Sequence, residues 1–329
     1  TYERVARRVP VVADEEAPAA PAKRRPPAGP SLDVRPAEAE DREAIITLLQ
    51  RSLGSDGDPR YPELFAWKHD TNRFGPSPMW VATDGGRVVA FRALMRWEFV
   101  RGGKVLHAVR AVDTATHPDY QGKGLFTAMT MHGLDVIKDD GIDFVFNTPN
   151  DKSRPGYLKM GWQEVGKLPV AIRVAGPGGA VRMARSRVAS SHWPSDVALG
   201  EPVLDVVADL AVADGSTMDR SAIATNASTR FYEWRYGADF LGYRAVAGDG
   251  GHLVCRVRQR GDAKELVMLD SPGLDISESD RLVKRLLRPN GLDHALRTGA
   301  PDARNGFLPA PGGPIVAWRS VCAKAMPPL

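Results

Sequence analysis

A short glycine-rich turn, HPDYQGKGLF at positions 117–126, carries the clearest chemical signal in the sequence. It follows a segment with the pattern of a strand and precedes one with the pattern of a helix. The free N–H groups of a first helical turn, together with the helix dipole, attract phosphate oxygens. Glycines let a ligand approach the backbone closely, and Lys123 would add a positive charge. The turn is a candidate phosphate site, although glycines also occur at such joints for steric reasons alone.

Two well-known phosphate motifs do not fit this turn. A P-loop has Ser or Thr after its Gly-Lys pair, whereas Lys123 is followed by Gly124. The dinucleotide fingerprint has a third glycine, and Thr127 stands in its place. The sequence therefore excludes both motifs and leaves a simpler arrangement, in which a strand, a turn and a helix present backbone amides to a phosphate.

The segments around the turn predict the elements that must position it. The run EDREAIITLLQRSLG (40–54) predicts an amphipathic helix, and residues 79–118 predict three antiparallel strands joined by DGG and RGG turns. The segments after the turn predict, in order, a helix (125–140), a strand (142–150), a short helix (153–161) and closing strands (162–174). This order predicts an α/β fold of the α+β mixed-sheet type, with one central sheet.

Three segments of the first half recur in the same order in the second half. The pairs are Phe65–Gly75 with Phe231–Gly242, Val81–Arg92 with Ala245–Arg258, and Gly141–Asp151 with Gly291–Asp302. We interpret the chain as two copies of one fold. The expected organisation is a Pro/Ala-rich extended arm (1–30), a first domain (31–175), a linker (176–200) and a second, degenerate domain (201–329).

Composition narrows the classes of function. The chain has 329 residues, a net charge of +4 and no concentrated basic face, which argues against nucleic-acid binding. No apolar run approaches the roughly 18 residues of a membrane span, and the N-terminus has no apolar signal region. Cys255 and Cys322 form no CxxC pair and the histidines are scattered, so we expect no disulfide framework and no metal site. These features favour a cytoplasmic protein.

The segments VDTATHPDYQGKGLFTAM and NDKSRPGYLKMGW, in this order and at this distance, resemble the acetyl-CoA signature and the following motif of the GNAT acyltransferase superfamily. The resemblance covers about 140 residues of the first copy and departs from the usual pattern at Phe126, where Gly or Ala is commoner. It implies two tandem GNAT-like domains and acetyl-CoA, or a similar acyl-CoA, as co-substrate.

The resemblance also implies roles for individual residues. The backbone of Thr114, Ala115 and Thr116 would pair with the pantetheine arm as an added strand does. The pyrophosphate would be held by Gln121, Gly122, Lys123, Gly124 and Leu125. Asn150, together with Ser153 in the second motif, would contact the pantetheine, and Tyr157 would stand near the thioester sulfur.

Acyl transfer to an amine requires a base, an oxyanion donor and an acid for the departing thiolate. A backbone N–H on the strand near Thr114 to Thr116 suits the oxyanion. Tyr157 is the candidate acid, with a packing tyrosine as the alternative. Asp113 is the candidate base because a carboxylate in an apolar strand is costly to bury without a purpose. It is equally a candidate structural acceptor for a neighbour such as Arg110. His107 and the terminal carboxylate of Leu329 are weaker candidates.

The resulting hypothesis is an N-acyltransferase acting on the amine of a small molecule, such as an amino sugar or a natural-product amine, and able to form oligomers. The alternatives are an acyl-CoA sensor without catalysis and an acyl-CoA decarboxylase on the same fold. The second copy is expected not to bind acyl-CoA, because its segment PGLDISESDRLVKRLL has one glycine and lies among four acids. These acids are Asp270, Asp275, Glu278 and Asp280.

Overall fold

The computed structural model describes residues 32–54, 57–197, 199–217 and 222–322. The expected arm at residues 1–30 and the carboxylate of Leu329 lie outside these ranges. None of the helices in the described part of the chain is long and apolar enough to cross a membrane.

The first half of the chain alternates strands and helices in the predicted order. Its strands are β1 (Asp33–Pro36), β2 (Met79–Asp84), β3 (Arg87–Arg101), β4 (Lys104–Thr116), β5 (Phe144–Asn147), β6 (Gln163–Lys167) and β7 (Val170–Val174). Its helices are α1 (Arg42–Leu53), α2 (Tyr61–His69), α3 (Leu125–Ile137), α4 (Arg154–Lys159) and α5 (Pro177–Arg185). Helix α5 lies inside the segment expected to be a linker, and α2 has no counterpart in the sequence-based prediction.

The second half repeats this pattern with fewer helices in the described residues. Its strands are β8 (Glu201–Pro202), β9 (Ala224–Thr225), β10 (Arg244–Ala247), β11 (His252–Arg260), β12 (Ala263–Asp270), β13 (His294–Thr298), β14 (Leu308–Ala310) and β15 (Ile315–Ser320). Its helices are α6 (Val207–Thr217), α7 (Thr229–Tyr236) and α8 (Ile276–Leu286). The three repeated segments fall on matching elements, and the two-copy α/β fold is confirmed.

The strands form two mixed sheets, each of which contains strands from both halves of the chain. The first sheet runs β1-β2-β3-β4-β5-β15-β6, and β9 pairs with β3 at its side. The second sheet runs β14-β7-β13-β12-β11-β10-β8. Thus β15, from the second half, lies between β5 and β6, while β7, from the first half, lies between β13 and β14. Sheet membership therefore crosses the expected domain limits at residues 175 and 201, because each half completes the sheet of the other.

Helices cover both faces of the first sheet, and the burial pattern follows from the strand alternation. On one face, Leu94, Val109 and Val145 pack with α3 and α4. On the other face, Phe91, Ala93 and Ala115 pack with α1 and α2. Gly133 of α3 is a glycine for a packing reason, since a Cβ there would lie 2.9 Å from the ring of Trp80.

The two halves meet through a pair of tryptophans related by the repeat. The rings of Trp67 on α2 and Trp234 on α7 stack with centroids 5.4 Å apart. The indole of Trp67 donates to the carbonyl of Trp234 at 2.6 Å, and the indole of Trp234 donates to the carbonyl of Trp67 at 2.9 Å. Phe74, Trp97 and Phe231 surround the pair. This reciprocal contact relates the two halves and explains why a Trp followed by a basic residue occurs in both copies, as Trp67-Lys68 and Trp234-Arg235.

Candidate active site

The glycine-rich turn leads into a helix whose first amides are left open. Gly122 and Gly124 have φ of +73° and +79°, in the left-handed region that favours glycine. Gly124 is the residue before α3, no side chain of the described residues caps the helix there, and its first turn contains no acid. The amides and the dipole at this end of α3 are therefore available to an anion.

The side chains of the turn tie it to the neighbouring strand and keep one cation at its surface. The amide of Gln121 donates to the carbonyl of Thr116 at 3.2 Å, so the turn is anchored to the end of β4. The ammonium of Lys123 lies 4.5 Å from the ring centroid of Tyr120, whose hydroxyl donates to Asp84. Leu125 is buried and fixes the start of α3 in the core.

Strands β4 and β5 separate next to this turn. They pair in parallel only from Ala108 to Arg110, whereas β4 continues to Thr116. The other edge of β4 stays paired with β3 up to Thr116, and the amide of His117 donates to Val89. Because peptide groups alternate between the two edges of a strand, those of Thr114 and Thr116 face the open side. This edge offers an extended ligand the hydrogen bonds of an added strand.

Tyr157 lies on the α3–α4 face, in an aromatic enclosure. It is 4% exposed, and its ring is 5.1 Å from that of Phe126 and 5.0 Å from that of Trp162. Its hydroxyl accepts a hydrogen bond of 2.9 Å from Nη2 of Arg92. Gly156 makes room for Phe126, since a Cβ at Gly156 would lie 2.9 Å from that ring. The unusual Phe126 of the motif therefore forms one wall beside Tyr157.

Arg92 is the most unusual residue of this face. It comes from β3 opposite Thr114 and is 1% exposed. Its Nε and Nη1 have no hydrogen-bond partner among the described residues, and no carboxylate there forms an ion pair with it. Buried charges in proteins are normally paired, so this guanidinium lacks an anion.

Two further buried polar atoms without partners lie on the same side of the sheet. These are Oδ1 of Asn147, at the end of β5, and Nε1 of Trp162, beside Tyr157. Asn147 shares its face with Val145, two residues earlier on the strand, and so faces the side of α3 and α4. The region where β4 and β5 separate thus contains unsatisfied donors and one unsatisfied acceptor.

Asn150 and Ser153 are hydrogen-bonded to each other at the start of α4. The side-chain oxygen of Asn150 accepts hydrogen bonds from the amides of Lys152 and Ser153 and from the hydroxyl of Ser153, at 2.9 to 3.1 Å. This arrangement fixes the turn that presents α4. It leaves only the amide nitrogen of Asn150 to meet a ligand, whereas Asn147 has its acceptor oxygen free.

Asp113 lies on the opposite face from Tyr157, at a bulge. It is the extra residue between Val112 and Thr114 in the β3–β4 pairing, with φ of +42°. Its carboxylate accepts from the ammonium of Lys68 at 2.8 Å and lies 2.8 Å from Nε2 of His69. The other ring nitrogen of His69 is 2.9 Å from the hydroxyl of Ser77.

The partners of Asp113 decide its charge. Burial opposes ionisation, but the nearby charge of Lys68 and the hydrogen bond with His69 outweigh it and hold the pKa of Asp113 well below its usual range. The carboxylate is therefore a firmly charged acceptor, and the side chains that contact it, Lys68 and His69, come from α2. His107, the weaker candidate base, lies near the start of β4 with a half-exposed side chain close to Glu98.

The matching places in the second half differ. Asp270 takes the position of Asp113, and Tyr236, in the place of His69, donates to it at 3.5 Å. At the start of α8, Asp275 accepts from the amide of Glu278 at 2.8 Å, while Glu278 accepts from the amide of Asp275. The side chains of Asp275 and Glu278 thus occupy the start of α8, whereas the equivalent start of α3 is open. Within the described ranges, no group of three or more acids, histidines or cysteines is placed to hold a metal ion.

Comparison with known proteins supports the resemblance seen in the sequence. A family model described as an acetyltransferase (GNAT) domain matches residues 33–165. No curated protein matches the chain.

Solved structures match both halves of the chain together. A probable N-acyltransferase from Enterococcus faecalis is 10% identical with a TM-score of 0.64, and 88% of this chain covers 73% of that one. A GCN5-related N-acetyltransferase from Kribbella flavida is 15% identical with a TM-score of 0.58, and the match covers 88% of this chain and 71% of that one. Another from Anabaena variabilis is 12% identical with a TM-score of 0.60, and the match covers 88% of this chain and 73% of that one. At these identities the structures show the fold. Together with the match of the family model to residues 33–165, they show that the chain has the fold of GNAT acetyltransferases, present in two copies.

Proposed function

We propose that this chain is an N-acyltransferase that moves an acetyl or other short acyl group from acyl-CoA to the amine of a small molecule. The observation that carries the proposal is the uncapped start of α3, directly beyond the open edge of β4. An anion and an extended arm bound there would meet at Tyr157. GNAT acetyltransferases use acetyl-CoA, and the donor groups found here suit its pyrophosphate and its pantetheine amides.

The binding roles divide between the turn and the strand. Amides from Gly122 to Leu125 and the charge of Lys123 would hold the pyrophosphate, and Gln121 would keep the turn in place. The backbone of Thr114 to Thr116 would pair with the pantetheine. Asn147 would accept from a pantetheine amide, a role that the sequence comparison gives to Asn150, while Asn150 and Ser153 hold the start of α4.

The chemical roles lie on the two faces of β4. The open amide of Thr114 would stabilise the oxyanion of the tetrahedral intermediate. Tyr157 would give its proton to the departing sulfur. Asp113 would receive the amine on the α2 side, where its fixed negative charge attracts an ammonium group. With its low pKa, Asp113 would hold a transferred proton only briefly before passing it to water.

A decarboxylase is the second candidate, and Arg92 is the observation that favours it. A buried cation without a carboxylate partner can hold the second carboxylate of a malonyl-type donor. Such an enzyme would release carbon dioxide without any amine.

A panel of small amines with acetyl-CoA, followed by the release of free CoA, tests the proposal. We expect at least one amine class to raise CoA release well above the rate without amine. Tight acetyl-CoA binding with no turnover on any amine would indicate a sensor. Conversion of malonyl-CoA to acetyl-CoA without amine, seen by mass spectrometry, would indicate the decarboxylase.

A further inference from the structure

Arg92 is a buried cation that the proposed function does not yet use. Its guanidinium lies 5.6 Å from the ring centroid of Phe126 and 5.5 Å from that of Tyr157, and it donates one hydrogen bond, to a neutral phenol. Aromatic rings stabilise a cation modestly, and a phenol does not neutralise it. A buried ion without a counter-ion is strongly unfavourable, so an anion is expected to enter this enclosure during the working cycle.

The proposed reaction supplies such an anion at this place. Tyr157 stands where the thioester sulfur is expected, and the hydroxyl of Tyr157 is 2.9 Å from Arg92. Because Arg92 donates to the oxygen of this hydroxyl, the proton of the phenol is free to point away from Arg92. When the bond between the acyl carbon and sulfur breaks, the electron pair goes to sulfur, beside two side chains that are 1% (Arg92) and 4% (Tyr157) exposed.

We propose that Arg92 and Tyr157 form a thiolate-binding pair, in which Arg92 orients the phenol and its charge compensates the negative charge of the leaving group. The inference rests on the proposed function. The amine nitrogen forms a bond to the acyl carbon, the carbon–sulfur bond breaks, and the proton of Tyr157 goes to sulfur. Arg92 then compensates the single negative charge that the phenol oxygen and the sulfur share, until the proton released by the amine neutralises this pair as CoA leaves.

The surroundings of Arg92 fit this role better than a purely structural one. A structural arginine in a protein core normally has a carboxylate partner, as Arg297 has in Asp280, with two hydrogen bonds of 2.7 Å. That pair lies in the second half of the chain, at the end of β13 that matches the end of β5. Arg297 on β13 is neutralised in this way, whereas Arg92 on β3 has no carboxylate partner in the described part of the chain.

Binding of free CoA and desulfo-CoA by calorimetry at several pH values tests the inference without turnover. The two ligands differ only in the thiol. In the wild type, we expect the affinity for CoA relative to desulfo-CoA to rise at least tenfold between pH 6 and pH 9, because the pair binds the thiolate. Ultraviolet absorbance should show that the complex carries one negative charge, as thiolate on CoA or phenolate on Tyr157, at a pH where free CoA is a thiol.

Two variants assign the effect to Arg92. Arg92→Met should remove the preference for CoA over desulfo-CoA while desulfo-CoA still binds. Arg92→Lys keeps the charge and should retain part of the preference. If Arg92→Met does not fold, the wild-type comparison still decides the question.

The outcomes separate this inference from the proposed function. If neither ligand binds at any pH, both are wrong. If desulfo-CoA binds as well as CoA across the whole pH range in the wild type, Arg92 is not a thiolate site, although the acyl-CoA site stands. Much tighter binding of malonyl-CoA than of acetyl-CoA, lost in Arg92→Met, would assign Arg92 to a carboxylate and overturn the thiolate pair.

Discussion

Single residues divide the proposed chemistry between the two faces of β4. Arg92 and Tyr157 occupy the side of α3 and α4, and Asp113 with Lys68 occupies the side of α2. The backbone of the first sheet lies between the two groups. A charge on one side therefore need not disturb the other side, and substitutions on the two faces should have separable effects.

Tyr157→Phe should keep the affinity for acyl-CoA and lower turnover by roughly 10²-fold, if general-acid help has its usual size. It should also cost stability, because Arg92 loses its last hydrogen-bond acceptor, an effect on the order of 1–3 kcal/mol.

Tyr243→Phe is the matched control, because Arg235 donates to the hydroxyl of Tyr243 at 2.9 Å in the second half. This variant should lose comparable stability with unchanged turnover. Equal losses of turnover in both variants, or less than a twofold loss in Tyr157→Phe, would remove Tyr157 from the mechanism.

Asp113→Asn should destabilise the fold most at neutral pH. The folded-state pKa of Asp113 is lowered, so its contribution to the free energy of unfolding is fully present above the unfolded pKa near 4 and is lost as the pH falls toward the lower folded value. Urea unfolding at pH 7 and at pH 3 should therefore show a smaller difference between variant and wild type at pH 3.

Turnover separates the two roles of Asp113. If Asp113 is the base, Asp113→Asn should lower kcat far more than its stability loss explains, when variant and wild type are both assayed well below their melting temperatures. A kcat close to that of the wild type would leave Asp113 as the structural partner of Lys68 and His69.

The sequence indicated some of these residues and not others. Asp113 stood out as a carboxylate in an apolar strand. Its partners on α2 could not be read from the sequence, because Lys68 and His69 are 45 and 44 positions away in the chain. Arg92 stands in the equally apolar run VVAFRALM. The argument applied to Asp113 would have found Arg92. Asn147 had no such signal, since a polar residue at the end of a strand is common.

At the scale of elements, the ends of two equivalent helices decide which domain binds an anion. The start of α3 has Gly124 and no acid in its first turn, whereas Asp275 and Glu278 satisfy the start of α8 from within the chain. The helices and the three-stranded meander were predictable, because their periodicity is local. Helix α2 was missed, because its stability comes from packing against Trp234 and β4.

Gly124→Glu should abolish acetyl-CoA binding, because it places a carboxylate at the open amides of α3. Gly124 has φ of +79°, so any other residue strains the backbone there by about 1 kcal/mol. Gly124→Ala is therefore the control, since it carries the strain without the charge and finds open space for its Cβ. Calorimetry should show a far greater loss of affinity for Glu than for Ala; equal affinities would refute the phosphate role of the turn.

At the scale of the whole molecule, the exchanged strands make the two halves depend on each other. β15 is paired with β5 through residues 144–147 and with β6, and β7 is paired with β13 and β14. The pattern of strands in the sequence indicated two copies, but not which copy holds each closing strand. Both pairings satisfy the same local alternation, and only the long-range contacts distinguish them.

Thermal unfolding should therefore show one transition for both halves. Trp234→Ala removes half of the stacked pair and should lower the melting temperature without splitting the transition. Because Trp234 is only partly buried, the loss should be smaller than the roughly 3–5 kcal/mol of a fully buried aromatic residue. Circular dichroism and the intrinsic fluorescence of the remaining tryptophans should change at the same temperature. Two separate transitions would show that the halves fold independently.

The exchange of strands also determines when each sheet can be completed during synthesis of the chain. A ribosome delivers the chain from its N-terminus, so α3, α4 and the turn at Gly124 emerge long before Ile315–Ser320, which fills the gap between β5 and β6. Until that strand arrives, those two edges are open to other nascent chains. A chain interrupted after residue 300 would contain every residue proposed for catalysis and still lack the strand that supports Asn147 and the end of β5.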